Sequence, residues 1–202
     1  VSPANSAGEA FYRENVTCYP FKKSWSFHNV NKNNIVLFSG ILQQFVPDVI
    51  HIWGSEYPHC LEMVLAAQYC GLLSKTVIEV QGLVSVIAQH YEASLPRYVI
   101  NGCTLRDLIR WDNIHQQKKK FIARGKSEEQ AFSLATAVIG RSDWDKACVK
   151  NMNPDIDYYT CNRIMRSDFY RNSWNYETCN KHSIFISQGF YPIKGLHYLL
   201  EA

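Results

Sequence analysis

Short apolar runs alternate with longer stretches of helical periodicity along most of the chain. The first run, residues 48–53, is rich in β-branched residues, follows Pro47 and ends at Gly54. This pattern is typical of a strand that is buried on both faces of a parallel sheet. Similar runs recur at residues 76–80 and 137–140. The alternation predicts an α/β fold whose strands are separated by helices.

The stretches between these runs have the signals of helices. Residues 34–45 carry apolar side chains at helical spacing, and Pro47 ends this helix. Pro58 suits the first turn of the next helix, and Gly71 stands where a left-handed residue ends it. Two strands joined by a helix of this length form a right-handed parallel βαβ crossover. The predicted class is therefore α/β, a Rossmann-like parallel sheet with helices on both faces.

The chain outside these units is less regular. Residues 1–34 are polar and strand-like only at 16–21. The last third has two strand patterns and two helical patterns, at residues 155–160, 183–187, 162–170 and 194–201. Three polar motifs have the spacing of capping boxes and predict helix starts. They begin at Thr104, Ser127 and Ser142.

A loop with polar residues follows each of three predicted strands at its carboxyl end. The residues concerned are Trp53, at the end of the first strand, with Gly54, Ser55 and Glu56 after it, Gln81 and Gly82 after the second strand, and Arg141, Ser142 and Asp143 after the third. Ligands of open α/β sheets bind outside this edge, so the three loops would form one cleft rim. Their hydroxyl, amide, carboxylate and guanidinium groups suit sugar hydroxyls and phosphates. The alternative, open for each loop by itself, is that it only caps the following helix.

Other reactive side chains have simpler explanations. His51, His59 and Cys60 could be offered as a metal site, but they lack the spacing of metal ligands. Asp143 and Asp145 could form an acid/base pair, although capping and the helix dipole already explain two carboxylates at a helix start. The sequence has no Ser/His/Asp order, Walker loop or complete GxGxxG. Hydrolase and hydride-transfer motifs are thereby excluded.

Composition narrows the class of protein. The chain has 202 residues, of which 47% are hydrophobic, enough for a core. Seven cysteines without a CxxC pair predict reduced thiols in a cytoplasmic protein. A net charge of +3 gives no reason to expect nucleic-acid binding. The basic run 118–120, with Arg124 and Lys126, is interpreted as a solvated helix face, and the alternative is a membrane-surface patch.

Five ordered blocks of the sequence carry a resemblance to a known family. They are PDVIHIWGSEYPHCLEMVLA, VIEVQGL, AVIGRSDWDKACVKNMNP, CNRIMRSDFY and SIFISQGFYPIKGLHYLLEA. Over about residues 34–202 the chain resembles the retaining glycosyltransferases of family 4, in particular bacterial enzymes of capsular or lipopolysaccharide assembly. The resemblance implies a GT-B fold, in which two Rossmann-like domains face each other across a cleft. Residues 1–182 would be the acceptor domain, lacking its own N-terminus, and residues 183–202 the first strand and helix of the nucleotide-sugar domain.

The resemblance also implies roles for individual residues. The family's His-Gly pair, whose histidine contacts the donor sugar, corresponds to Gln81-Gly82, and glutamine cannot take up a proton. The family's Lys-Gly pair, whose lysine neutralises the donor diphosphate, corresponds to Lys194-Gly195. Gln188 stands where the family usually has a phosphate-binding arginine. The paired glutamates of the second domain would lie beyond Ala202.

The function implied by the resemblance is sugar transfer, with retention, from a nucleotide-sugar to a saccharide or lipid-linked acceptor. No cofactor or catalytic metal is expected, and the catalytic residues are not identified. The enzyme would act in the cytoplasm, with the inner face of the membrane as an open alternative location, and this fragment alone would be inactive. The alternative from another class is a non-catalytic saccharide- or nucleotide-binding α/β module.

Overall fold

A computed structural model describes residues 1–4, 8–23, 30–189 and 191–202. The strands in this part of the chain are β1 (Ser2–Ala4), β2 (Phe11–Arg13), β3 (Val16–Cys18), β4 (Pro20–Lys22), β5 (Ile50–Trp53), β6 (Thr76–Glu79), β7 (Ala137–Gly140) and β8 (Asp157–Thr160). The helices are α1 (Lys32–Phe45), α2 (Pro58–Tyr69), α3 (Val84–Gln89), α4 (Arg97–Ile100), α5 (Leu105–Arg110), α6 (Ile114–Leu134), α7 (Asp143–Met152), α8 (Ser167–Arg171) and α9 (Leu196–Glu201).

A parallel sheet of four strands, in the order β5-β6-β7-β8, forms the centre of the fold. Ile52 pairs with Ile78, Ile78 with Val138, and Val138 with Tyr158. Within this sheet, at least one helix connects β5 to β6, β6 to β7, and β7 to β8, as parallel pairing requires. The predicted α/β class, with a Rossmann-like parallel sheet flanked by helices, is confirmed.

Apolar side chains of the helices pack over this sheet. α2 is buried along most of its length, with Leu61 and Val64 at its centre, between α1 and α6. Phe38 of α1 and Phe132 of α6 belong to the same cluster as Ile78 of the sheet. α2 starts at Pro58, and Gly71 follows it with a φ of +70°, both as predicted. The helix ends thus follow the local signals.

The N-terminal strands form two small pairs. β1 pairs with β4 in parallel, and β2 with β3 in antiparallel orientation. Phe21 of β4 is buried, with its ring 5.0 Å from that of Phe38 in an edge-to-face arrangement. This contact fastens the segment to α1.

The prediction that the first strand is buried on both faces is wrong. β5 begins at Ile50 and buries only Ile50 and Ile52, whereas His51 and Trp53 are exposed. β5 is at one end of the strand order, so in the described residues it has a neighbouring strand on one side only. The run looks apolar because Ile50 and Ile52 pack on one face of the sheet and the aromatic Trp53 lies exposed on the other face.

Other boundaries also differ from prediction. Residues 183–187 form no strand, and Phe185 among them is 89% exposed, because no described strand lies beside them to pair their backbone groups. The motif at Ser127 lies inside α6 and is not a helix start. The helix predicted for 162–170 is α8, and that predicted for 194–201 begins at Leu196 after a short 3₁₀ turn. Within the described residues, no helix is both long and apolar enough to cross a membrane.

Candidate functional site at the carboxyl edge of the sheet

The loops after β5, β6 and β7 lie against one another. Arg141 donates a hydrogen bond from Nη2 to the carbonyl oxygen of Gln81, at 3.2 Å. The Ser55 hydroxyl lies 3.2 Å from the carbonyl oxygen of Gly82. Parallel strands all end at the same sheet edge, which is why three distant stretches of sequence meet here. We call the surface formed by these loops the cleft.

A buried carboxylate beneath the cleft fixes two of the loops. Glu128 of α6 is fully buried, and its Oε1 lies 2.6 Å from Ser55 Oγ. Its Oε2 accepts hydrogen bonds from the backbone N–H and the hydroxyl of Ser85, at 2.8 and 2.7 Å. Burial raises the pKa of Glu128, and the hydrogen bonds from the two serines oppose this. One side chain therefore joins the loop after β5 to the start of α3.

A second glutamate lies between the first two loops. Gly54 has a φ of +89°, and a Cβ there would lie 2.5 Å from Glu56 Oε2 and 3.2 Å from Gln81 Cγ. The backbone conformation therefore favours glycine, and a larger residue would also displace the Glu56 carboxylate. Burial raises the pKa of Glu56, opposed by its own backbone N–H and by the positive charges of Arg124 and Arg163.

A network centred on Glu79 fixes the orientation of Gln81. Glu79 ends β6 and is 7% exposed. It accepts a hydrogen bond from Gln81 Nε2 at 2.9 Å and lies 3.0 Å from His51 Nε2 and 3.4 Å from Arg163 Nη2. With its nitrogen turned towards Glu79, Gln81 has its amide oxygen available to accept a hydrogen bond from a ligand hydroxyl.

Arg163 brings a fourth strand end to the cleft. It follows β8, pairs with Glu79, and its guanidinium lies 5.1 Å from the centre of the Trp53 ring. Arg163 was not predicted from the sequence, although a polar residue after the strand predicted at 155–160 obeys the rule that identified the other three loops. Glu79 was not predicted because it lies within a strand.

We expect Glu79→Ala to lower the free energy of unfolding by about 1–2 kcal/mol, because the change removes a buried acceptor and its hydrogen bonds. The loss is not larger because His51 and Arg163 are partly exposed and water can replace Glu79 as their partner. Urea denaturation measures the change. Asp157→Ala, at an exposed carboxylate of β8, is the control and should change stability by less than about 0.5 kcal/mol. Equal effects of the two changes would contradict a structural role for the Glu79 network.

Helix capping explains only the third loop. The Ser142 hydroxyl accepts a hydrogen bond from the N–H of Asp145, whose carboxylate accepts from the N–H groups of Arg141 and Ser142. The N-cap residues of α2 and α3 are instead Tyr57 and Leu83, neither of which forms a side-chain capping bond. Ser55, Glu56 and Gln81 are therefore not explained as caps, whereas Asp145 is.

His51, His59 and Cys60 do not form a metal-binding site. His59 stacks on Tyr57 with ring centroids 5.6 Å apart, and burial together with Lys23 lowers its pKa to about 4. Burial raises the pKa of the Cys60 thiol, so it stays protonated. No group of three His, Cys, Asp or Glu side chains in the described ranges could hold a metal ion.

A groove extends from the cleft along β5. It encloses a cavity of about 630 Å³, within the range of small-molecule sites. His51, Trp53, Glu56 and Gln81 line it together with apolar side chains of α1 and the following turn, among them Phe45 and Val49. A ligand with a polar head at the cleft could place an apolar part in this groove.

The residues to which the resemblance assigns donor binding lie on a segment separate from the cleft. Gln188 and Lys194 are exposed, and Gly195 has a φ of +75° between the 3₁₀ turn and α9. α9 rests on the loop after α3, where His197 Nε2 and the Tyr198 hydroxyl each lie 2.9 Å from the carbonyl oxygen of Ala93. Among the described residues, no hydrogen bond or ion pair joins Gln188 or Lys194 to the cleft.

No family model, curated protein or solved structure matches this chain.

Proposed function

We propose that this chain contains the acceptor-binding domain of a retaining glycosyltransferase similar to those of family 4. The observation that carries the proposal is the meeting of four strand-end loops around Gln81, whose amide oxygen is available to a ligand. In α/β sheets this edge is where ligands bind. The whole enzyme would transfer a sugar from a nucleotide-sugar to a saccharide or lipid-linked acceptor in bacterial capsule or lipopolysaccharide assembly.

The groups at the cleft match the surface of a sugar. Gln81 and Glu56 offer oxygen atoms that accept hydrogen bonds from hydroxyl groups, and Arg141 offers donors to ring or hydroxyl oxygens. Trp53 is 63% exposed and presents an apolar ring beside these polar groups. Apolar contact surrounded by a few oriented polar groups is the usual composition of a small-ligand site.

The groove along β5 supports a lipid-linked acceptor. Its far part is lined by Phe45 and Val49, and its near part by Glu56 and Gln81. A free oligosaccharide would leave the apolar part of this groove without a partner. The saccharide would therefore lie at the cleft while the first carbons of the lipid occupy the groove.

The donor is held by another part of the enzyme in this proposal. Lys194, followed by Gly195, would neutralise the diphosphate of the nucleotide-sugar, and no cofactor or catalytic metal is needed for that task. Gln81 orients a sugar hydroxyl but does not accept its proton. Since Lys194 is the only donor-binding cation that the resemblance assigns here, the 202-residue chain alone is expected to be inactive.

Gln81→Ala is expected to weaken saccharide binding at least fivefold, about the loss of one hydrogen bond in a partly enclosed site. The measurement is ligand-observed NMR titration of the purified chain with a panel of neutral and acidic oligosaccharides. Gln68→Ala, at an exposed glutamine of α2, is the matched control and should leave binding unchanged. Binding that survives Gln81→Ala would move the acceptor away from this cleft.

The alternative module from another class makes a different prediction. A nucleotide-binding module would bind UDP or GDP through the cleft of this chain alone, and Gln81→Ala would weaken that binding. The proposed acceptor domain binds the saccharide and not the nucleotide. In a longer gene product that continues past Ala202, transfer from a nucleotide-sugar with retention, followed by NMR of the anomeric proton, separates the enzyme from the binding module.

A further inference from the structure

Five large apolar side chains on α4, α5 and the residue after α5 project into solvent. They are Tyr98, Leu105, Leu108, Ile109 and Trp111, each between 63% and 80% exposed, and we call them the apolar ridge. Neither α4 nor α5 has a buried residue, and residues 97–112 contribute nothing to the hydrophobic clusters of the fold. The ridge therefore does not serve the core of this domain.

The helix α5 is amphipathic, with its apolar side turned outward. Leu105, Leu108 and Ile109 are spaced three and four residues apart and share one face. Arg106 and Arg110 are four residues apart on another face. An apolar face bordered by arginine and followed by tryptophan is typical of helices that lie in a membrane interface.

The basic start of α6 is attached to the ridge. Lys120 donates to the carbonyl oxygen of Trp111 at 3.4 Å and pairs with Asp112 at 2.8 Å. His115 Nε2 lies 3.1 Å from Asn101 Oδ1, which joins α6 to the end of α4. The basic run predicted as a solvated face is in fact partly paired, since Lys118 also contacts Glu92 at 2.8 Å.

Positive charge is concentrated in the stretch of sequence that carries the ridge. Residues 97–126 contain eight Lys and Arg but two Asp and no Glu, a surplus of six in a chain whose net charge is +3. The rest of the chain is therefore net negative. In the described chain Arg97, Arg106 and Arg110 form no ion pair within 4.0 Å. The partner that fits this surface is apolar at its centre and anionic around it.

We propose that the apolar ridge docks on a membrane surface containing anionic phospholipids. The five side chains enter the boundary between headgroups and acyl chains, and the surrounding arginine and lysine side chains face lipid phosphates. A second copy of the chain fits less well, because a two-fold interface would bring the same positive surface against itself. The proposal does not depend on a sugar-transfer activity.

Flotation of the purified chain with vesicles tests this surface. We expect binding to vesicles of phosphatidylcholine with phosphatidylglycerol, weakened by added salt, and little binding to phosphatidylcholine alone. Ile109→Glu should lower the partition coefficient at least about tenfold, because it replaces an inserted side chain by a negative charge. Val36→Glu is the matched control, since Val36 and Ile109 are 73% and 74% exposed. Both variants should keep the circular dichroism of the parent.

Three results would overturn the proposal. The first is equal binding to neutral and anionic vesicles, and the second is equal behaviour of Ile109→Glu and Val36→Glu. The third is an oligomer of the parent, seen by sedimentation, that Ile109→Glu dissociates while no vesicle binding is observed. That result would assign the ridge to a protein interface.

Discussion

Glu128→Ala is expected to lower the free energy of unfolding by about 2–4 kcal/mol. The change leaves the N–H and the hydroxyl of Ser85 without their acceptor in a buried site, removes the hydrogen bond between Glu128 and Ser55, and opens a cavity. Urea denaturation gives the value. Glu129→Ala, at the next and exposed residue of the same helix, is the control and should be within about 0.5 kcal/mol of the parent.

The geometry at Ser55 also admits a protonated Glu128. Ser55 has one hydroxyl proton but two acceptors within reach, Glu128 Oε1 at 2.6 Å and Gly82 O at 3.2 Å. A protonated Glu128 would donate to Ser55 Oγ, and Ser55 would then donate to Gly82. The amide of a Glu128→Gln variant reproduces this arrangement, because its nitrogen donates to Ser55 and its oxygen accepts from Ser85. We expect this variant to retain the parent stability near pH 5 within about 1 kcal/mol.

The pH dependence of stability separates the two forms of Glu128. Burial raises its pKa above the usual 4.5. A carboxyl whose pKa is raised in the folded state binds its proton more tightly there, so its stabilising effect is complete below about pH 4.5 and is lost as the pH rises through the raised pKa. The stability of Glu128→Gln relative to the parent should therefore increase from pH 4.5 upwards. Glu56, Glu62 and His59 occur in both proteins, so their titration cancels in the difference. A Glu128→Gln variant as unstable as Glu128→Ala at every pH would contradict the protonated arrangement.

The sheet was predictable from the sequence where its signals are local. Residues 137–140 and 76–80 are apolar runs with polar ends, and the chain forms β7 and β6 there. The exposure of His51 depends instead on which elements pack over that face of the sheet, and the sequence around β5 contains no such information. Residues 183–187 also depend on distant parts of the chain, since an apolar run becomes a strand only where a neighbour pairs its backbone.

The cleft was partly predictable for the same reason. A polar residue after a buried strand is a local signal, so the meeting of the loops that carry Ser55, Gln81 and Arg141 was predicted, and Arg163 could have been included. Glu128 and Glu129 are adjacent acidic residues in one helix, and no local pattern indicates that the first is buried beneath the loops while the second is exposed. Their difference arises because Glu128 faces the start of α3, where Ser85 donates to it, whereas Glu129 lies on an exposed side of α6.

Gly125→Ala is expected to lower the free energy of unfolding by about 1–3 kcal/mol, although alanine favours helices. A Cβ at this position of α6 would lie 2.8 Å from Ser85 Cα and 3.2 Å from Ser85 N, which are backbone atoms and cannot rotate away. α6 and α3 would have to separate by several tenths of an ångström. Gly40→Ala is the matched control, because Gly40 also lies within a helix, is exposed and would place its Cβ in open space. That change should raise stability by about 0.5–1 kcal/mol.

The separation caused by Gly125→Ala should also reach the cleft. Ser85 receives both the contact from position 125 and the hydrogen bonds to Glu128, so moving Ser85 lengthens the 2.8 Å bond from its N–H to Glu128 Oε2. The double variant Gly125→Ala, Glu128→Ala should therefore lose less stability than the sum of the two single losses, because both changes weaken the same hydrogen bond. Strict additivity of the two changes, or a gain in stability from Gly125→Ala equal to that from Gly40→Ala, would show that α3 and α6 adjust freely. In that case Ser85 could not transmit the position of α6 to the loops that hold Ser55 and Gly82.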